Sequence, residues 1–294
     1  MHFRGQLSAL RHRQFLKYWL GSFTSVGATQ LQVMGLGWLV WELSSSSLML
    51  GYLGAAAGIP AALLTIFGGA LADRLDKRLV LMGTSLLTAA LLAMLTLLDK
   101  TELVEVWHVI FITAAISVVT GFDWPVRQSI FPSLIERSDM MSAVALTTFI
   151  WQATRMVMPA FGGIVIAYAD TWLLFAICSA GFFLMFLVLL SIQVQATVTA
   201  RSHSTLQQIS EGFRFIVNTP EFFFLITLSY AMCFFATSYM QLMPAFADLL
   251  SATEQEFGYM LSIGGIGAVV GTLMSSNLQH SQQLGKAMLY SAIV

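Results

Sequence analysis

Charge-free apolar runs of about 20 residues or more recur along this chain of 294 residues, and no other feature constrains its fold as tightly. A helix rising 1.5 Å per residue needs about 20 such residues to cross about 30 Å of hydrocarbon, and in lipid only helices and closed barrels satisfy their own backbone groups. Alternating strand patterns are absent, so the runs read as helices. With 57% hydrophobic and 10% charged residues, the composition lies far from the roughly 25% charged residues of soluble domains. This describes an all-α, polytopic membrane protein.

Eight spans are expected: Tyr18 to Leu43, Leu48 to Ala72, Leu79 to Leu98, Val106 to Trp124, Ser142 to Tyr168, Trp172 to Val194, Phe222 to Ala247 and Phe257 to Leu278. The first is too long for a signal-peptide core and no cleavage site follows it. With the N-terminus inside, the inner segments carry Arg4, Arg11, Arg13, Lys17, Arg74, Lys77, Arg78, Arg127, Arg137, Arg201, Arg214 and Lys286. The outer segments carry only Lys100, and Arg155 sits within a span. This bias places the N-terminus in the cytoplasm. Net charge is −1 and the cations are spread over many loops, so the chain offers no basic surface for nucleic acid.

Residues 195–219 form the one extended polar stretch. There Leu206, Ile209, Phe213, Ile216 and Val217 repeat at helical spacing, which predicts an amphipathic helix on the membrane surface. Gly51-Tyr52 and Gly58-Ile59 recur as Gly258-Tyr259 and Gly265-Ile266, so span eight echoes span two. The expected organisation is therefore a six-helix half over 1–194, a linker over 195–219, and part of a parallel second half over 220–294. An apolar run begins near Ala287 and the chain stops at Val294. The expectation is a truncated product with eight spans and the start of a ninth.

A knot of charge separates spans two and three, and it carries a family resemblance. Gly69, Leu71, Ala72, Asp73, Arg74, Lys77 and Arg78 fit the pattern Gly-x-Leu-Ala-Asp-Arg-x-Gly-Arg-Lys, with Asp76 at the second glycine. This resembles the loop between the second and third helices of the major facilitator superfamily. Gly37 to Leu43, Phe122 to Gln128 and Arg155 to Gly163, with its packing residues Pro159, Gly162 and Gly163, resemble the branch that holds transmembrane secretion effectors and enterobactin exporters. The resemblance implies a two-half bundle working by alternating access in a bacterial inner membrane. It implies that Asp73 locks the halves on the cytoplasmic side against an eleventh helix, with Arg127 as a nearer partner. The plainer alternative is that these charges set topology and solvate a turn.

Asp123 and Arg127, four residues apart, suit a pair along one helical face, although Pro125 between them should distort it. Asp123 is either a proton-coupling carboxylate or half of a structural pair. A mid-span arginine costs on the order of 2.5–3.5 kcal/mol, so Arg155 should face the bundle interior or a water-filled cavity. There it binds an anionic substrate group, bonds carbonyls freed by Pro159, or pairs with Asp123. Gln30, Gln32, Tyr239 and Gln241 are further substrate or coupling candidates. Two isolated cysteines and five scattered histidines give no metal site and no cofactor, and no phosphate-binding glycine loop appears. The function expected is secondary active export of a small amphipathic or anionic compound such as a siderophore, drug or metabolite, with the lipid bilayer as surroundings and the proton as a candidate coupling ion. The competing readings are a non-transporting remnant and a membrane-embedded enzyme.

Overall fold

The computed structural model describes residues 8–72, 76–130, 133–192 and 214–278. Asp73, Arg74 and the expected amphipathic helix up to residue 213 lie outside the described residues, and 214–218 form one helical turn. Among the described residues there is no strand. The long helices are α1 (Arg13–Ser44), α2 (Ser47–Ala72), α3 (Lys77–Lys100), α4 (Val106–Ile130), α5 (Met140–Leu190), α6 (Pro220–Leu249) and α7 (Glu254–Leu278). By length and composition, α2, α3, α4 and α5 each contain a stretch able to cross a membrane.

α5 is two antiparallel limbs joined at Asp170, whose φ of 66° and ψ of 174° break the helix. L-residues with a side chain rarely adopt that conformation. Close contacts give the limb directions. Gly27 lies against Met158 and Gly162 lies against Leu31 and Met34, so the first limb runs alongside α1. Gly35, Gly181 and Gly21 meet Leu174, Thr24 and Met185 respectively, so the second limb runs against α1. These limbs are the expected spans five and six, the second ending at Leu190 rather than Val194. α1 thus lies between both limbs, α2 packs on α4, α3 packs on α4 and α5, and α7 packs on α5.

Prolines interrupt α2 and α5, and the same repair is used in both. Proline has no N–H to give the carbonyl four residues earlier and perturbs the next turn. After Pro60, Ala61 N donates to Ser117 Oγ of α4 (2.9 Å), and that hydroxyl donates to Ala57 O (2.6 Å). After Pro159, Ala160 N donates to Ser262 Oγ of α7 (2.9 Å). Glycines on either side of Ser262 bring the two backbones together. A Cβ on Gly258 would stand 2.5 Å from Pro159 O, and one on Gly265 would stand 2.7 Å from Arg155 O. Small residues at i, i+4 and i+7 of α7 therefore form a stripe fitted to α5, as membrane helices use for close approach.

At the end of the bundle where the chain enters, Asp139 holds the turn Ser8–Arg11. Ser8 Oγ donates to its Oδ1 (2.5 Å), His12 Nε2 lies 2.7 Å from its Oδ2, and Ala9 N donates to Ser142 Oγ (3.2 Å). Asp139 stands at the N-cap of α5 yet makes no cap bond. Beneath it Ala9 and Phe15 are buried with Leu134, Ala143 and Leu146. At the opposite end Thr253 and Glu256 form a capping box for α7: Thr253 N donates to Glu256 Oε2 (2.7 Å) and Glu256 N donates to Thr253 Oγ1 (3.3 Å).

Gly265→Ala should push α5 and α7 apart and lower stability by about 1–3 kcal/mol. Gly267→Ala, where nothing lies within 4 Å, should be neutral in the same thermal-unfolding measurement in detergent. Equal effects would refute the close crossing. The Thr253 amide, and then its hydroxyl, hold the Glu256 carboxyl below its ordinary value. Its stabilising contribution is accordingly full above about pH 4.3 and is lost as pH falls through the lower folded value. Denaturant titrations should show wild type more stable than Glu256→Gln at pH 6, with the gap closing by pH 3; a gap unchanged between the two pH values counts against the cap.

Candidate functional site

A cavity of about 870 Å³ lies where α1 and α2 face α6 and α7, with α5 between them. Its volume is in the range of ligand sites. Leu50, Val33, Met34, Phe257 and Leu261 make an apolar wall, and Gln30, Tyr239 and Gln241 supply polar groups. Among the described residues, Arg155 is the one charged residue that lines it. Its side chain is exposed to the cavity, and its bonding partner is Met240 Sδ, 3.8 Å from Nη2. Among the described residues it has no carboxylate partner, so the expected pairing with Asp123 is not made. Nor does its guanidinium turn to the carbonyls near Pro159; its own carbonyl faces Gly265 instead. Gln30, Arg155, Tyr239 and Gln241 are thus brought together, and Gln32 and Asp123 are not.

Those two line a smaller chamber of about 90 Å³ between α1, α3, α4 and α5, with Ser25, Thr29, Thr84, Ser85 and Arg127 beside apolar side chains such as Val119 and Phe182. Asp123 and Arg127 pair within α4, and Pro125 does not prevent it. Arg127 Nη1 also donates to Ser25 Oγ of α1 (3.2 Å), and Thr84 Oγ1 of α3 donates to Asp123 Oδ1 (2.7 Å). One ion pair thereby ties three helices together. Ser85 Oγ faces the chamber, fully buried and without a hydrogen-bond partner among the described residues.

The described part of the charged hairpin acts on helix ends. Asp76 caps α3, accepting from Arg78 N (2.9 Å) and Leu79 N (3.4 Å), which is the use of aspartate at a position where the family pattern has glycine. Arg78 donates to Leu189 O (2.7 Å) and Leu190 O (2.8 Å), and Lys17 Nζ to Ser191 O (3.1 Å). Lys77 Nζ donates to Ser129 O (3.2 Å). The last carbonyls of a helix lack partners and carry partial negative charge, so these cations satisfy both needs. Gly69 lies in the last turns of α2. Of the packing residues, Gly163 meets Gly258 of α7, while Gly162 meets α1.

At the opposite end, a cleft of about 420 Å³ is lined by Glu42, Asp99, Glu102, Asp170 and Glu254, with Lys100 and two tryptophans. Thr171 Oγ1 donates to Asp99 Oδ2 (2.5 Å), and Lys100 Nζ sits 4.7 Å above the Trp172 ring. Trp38 lines this cleft and stacks on Phe257 of the cavity below, their centroids 5.1 Å apart. Sequence reasoning missed Ser262, Met240 and the Trp38–Phe257 pair. For Ser262 the spacing from Gly258 and Gly265 was a usable signal; for the aromatic pair nothing in the sequence joins residues 219 positions apart.

A family model described as transmembrane secretion effector matches residues 4–294. The staphyloferrin A transporter of Staphylococcus aureus is 26% identical over 270 residues, covering 88% of this chain and 63% of that protein. The enterobactin exporter EntS of Shigella boydii is 25% identical over 296 residues, covering 98% of this chain and 69% of its own length. EntS of Escherichia coli is 24% identical over the same span. The chain thus spans less than two thirds of the first of these relatives and little more than that of the others.

Asp123→Ala should leave the largely buried Arg127 without its carboxylate and cost up to about 3–5 kcal/mol, whereas Asp123→Leu combined with Arg127→Met should recover most of that loss. Thermal unfolding of detergent-solubilised variants measures both; a double variant as unstable as the single one would show that the pair is not the unit.

Proposed function

The chain belongs to the transmembrane secretion effector family of the major facilitator superfamily, and from that premise we propose that it is a secondary active exporter of a small amphipathic anion of siderophore type, working by alternating access. The family is one of multi-pass membrane transporters, not of enzymes. The observation that carries the proposal is the large cavity with Arg155 as its one charged lining residue among those described. An uncompensated guanidinium in an apolar wall favours an anion there, since charge-assisted hydrogen bonds strengthen where water is excluded. The apolar wall suits the rest of an amphipathic molecule. Staphyloferrin A and enterobactin are what the named relatives move, and they set the class of compound to try first.

In this reading the eight spans cross a bacterial inner membrane with the N-terminus in the cytoplasm, as the distribution of Lys and Arg supports. The cavity then alternates between the two faces as the first five helices move against α6 and α7. The stripe of Gly258, Ser262 and Gly265 suits such movement, because backbone slides on backbone with few side chains to unlock. For coupling, the proton is the candidate ion. Both oxygens of Asp123 are engaged, by Thr84 and Arg127, which favours a structural pair over a proton carrier at that position.

Binding of naphthalene-2-carboxylate and of its neutral amide, followed by tryptophan fluorescence, tests the site. Arg155→Gln should weaken the carboxylate by about 10-fold or more and the amide little, with Arg155→Lys retaining part of the preference. If both ligands weaken alike, anion recognition by Arg155 is wrong.

A further inference from the structure

Resting on the exporter reading, we infer that Trp38 and Phe257 form the outer gate of the cavity, an aromatic septum between the substrate space and the acidic cleft above it. Three independent features of the structure meet at this pair.

The first is position. Phe257 lines the cavity and Trp38 lines the cleft, so the boundary between the two spaces is the stacked pair itself. The rings stand 5.1 Å apart at 32° to one another, and Phe257 is 1% exposed. A tilted contact between two rings of this kind is attractive yet separable.

The second is ownership. Trp38 is on α1 of the first half, and Phe257 is in the first turns of α7 of the second half. A contact that joins the two halves at one end of the cavity must break if they part there. Beside it Gly37 lies against Pro244, the ring carbon standing 3.3 Å from where a Cβ would be, so no side chain intervenes between α1 and α6 at this level.

The third is the carboxylate one helical turn from each ring. Glu42 is one turn beyond Trp38, and Glu254 is one turn beyond Phe257 towards the same end; both line the cleft. Residues three or four apart share a helical face, so on each helix the aromatic ring and the carboxylate stand in one line, with the carboxylate a turn nearer the outside. The dry-to-wet boundary thus falls at the same level on both sides of the seam. Parting the rings would open the cavity into a polar mouth already able to hold water.

The test reads accessibility and needs no substrate. In a background of Cys178→Ala and Cys233→Ala, Leu261→Cys places a thiol on the cavity wall below the pair, and a membrane-impermeant sulfonated maleimide is applied from the outer face in spheroplasts. With both rings intact, labelling should be slow. Trp38→Ala and Phe257→Ala should each raise its rate by about two- to tenfold, the range that an aromatic pair's contact corresponds to. The double variant should be no faster than the faster single one, and Trp38→Phe should stay slow. Glu102→Cys in the cleft should label at one rate throughout, which reports that each variant is folded and inserted. Unchanged labelling of Leu261→Cys in both alanine variants overturns the gate, as does fast labelling with the rings intact. This outcome is separable from the exporter reading. An intact barrier in a protein that moves no compound sinks export alone, and export with an unguarded cavity sinks the septum alone.

Discussion

The placement of Arg155 and Phe257 around the cavity depends on the crossing of α5 and α7 at Pro159. In lipid a backbone group without a partner is costly, and Pro159 disturbs the hydrogen-bond ladder of α5 at mid-length. Ser262 accepts the Ala160 amide, and Gly258 and Gly265 let the two backbones close around it. Interhelical bonds of this kind average only about 0.6 kcal/mol. The contact owes its importance to place: Arg155 is one turn before the proline, and Phe257 is adjacent to Gly258. Position along a single pair of helices thereby fixes the cavity's charge and its aromatic wall together.

The repeat seen in the sequence takes on a physical meaning beside this crossing. Gly258 and Gly265 are mated to α5, while their counterparts Gly51 and Gly58 on α2 have nothing within 4 Å and open onto the cavity. One small-residue pattern therefore serves close packing in one copy and free space in the other. Pro60 and Pro159 show a firmer likeness. Each is followed by alanine, and each alanine amide is taken by a serine of a neighbouring helix, Ser117 of α4 and Ser262 of α7. The first such bond ties α2 to α4, and the second ties α5 to α7.

Much of the fold was legible because bilayer thickness leaves few options to a run of 20 apolar residues. The apolar stretches of α2 to α5, the Asp123–Arg127 pair along one helical face and the opening of Arg155 to a cavity all follow from length, spacing and the cost of charge. Partners were less legible. Helical period says which residues share a face, but not which helix that face meets. Gln30 and Gln32 illustrate this: two residues apart on α1, one opens on the large cavity and the other on the inner chamber. Pro125 was expected to distort the geometry of the ion pair because proline perturbs helices on average; here α4 continues through it. Asp76 looked like a departure from a family pattern and is a helix cap, a role that its place just before a helix already suggested.

The turn at Ser8–Arg11 carries a practical consequence. Asp139 spends both carboxylate oxygens on Ser8 and His12 and leaves its own helix uncapped, so the entry of the chain is fastened to the first turn of the helix that also bears Arg155 and Pro159. Any fluorescent protein or affinity tag fused ahead of Ser8 is thus hung on a lever, with α5 as its arm. A handle placed there is mechanically connected to the cavity, and fusion designs for this protein have reason to put the load elsewhere.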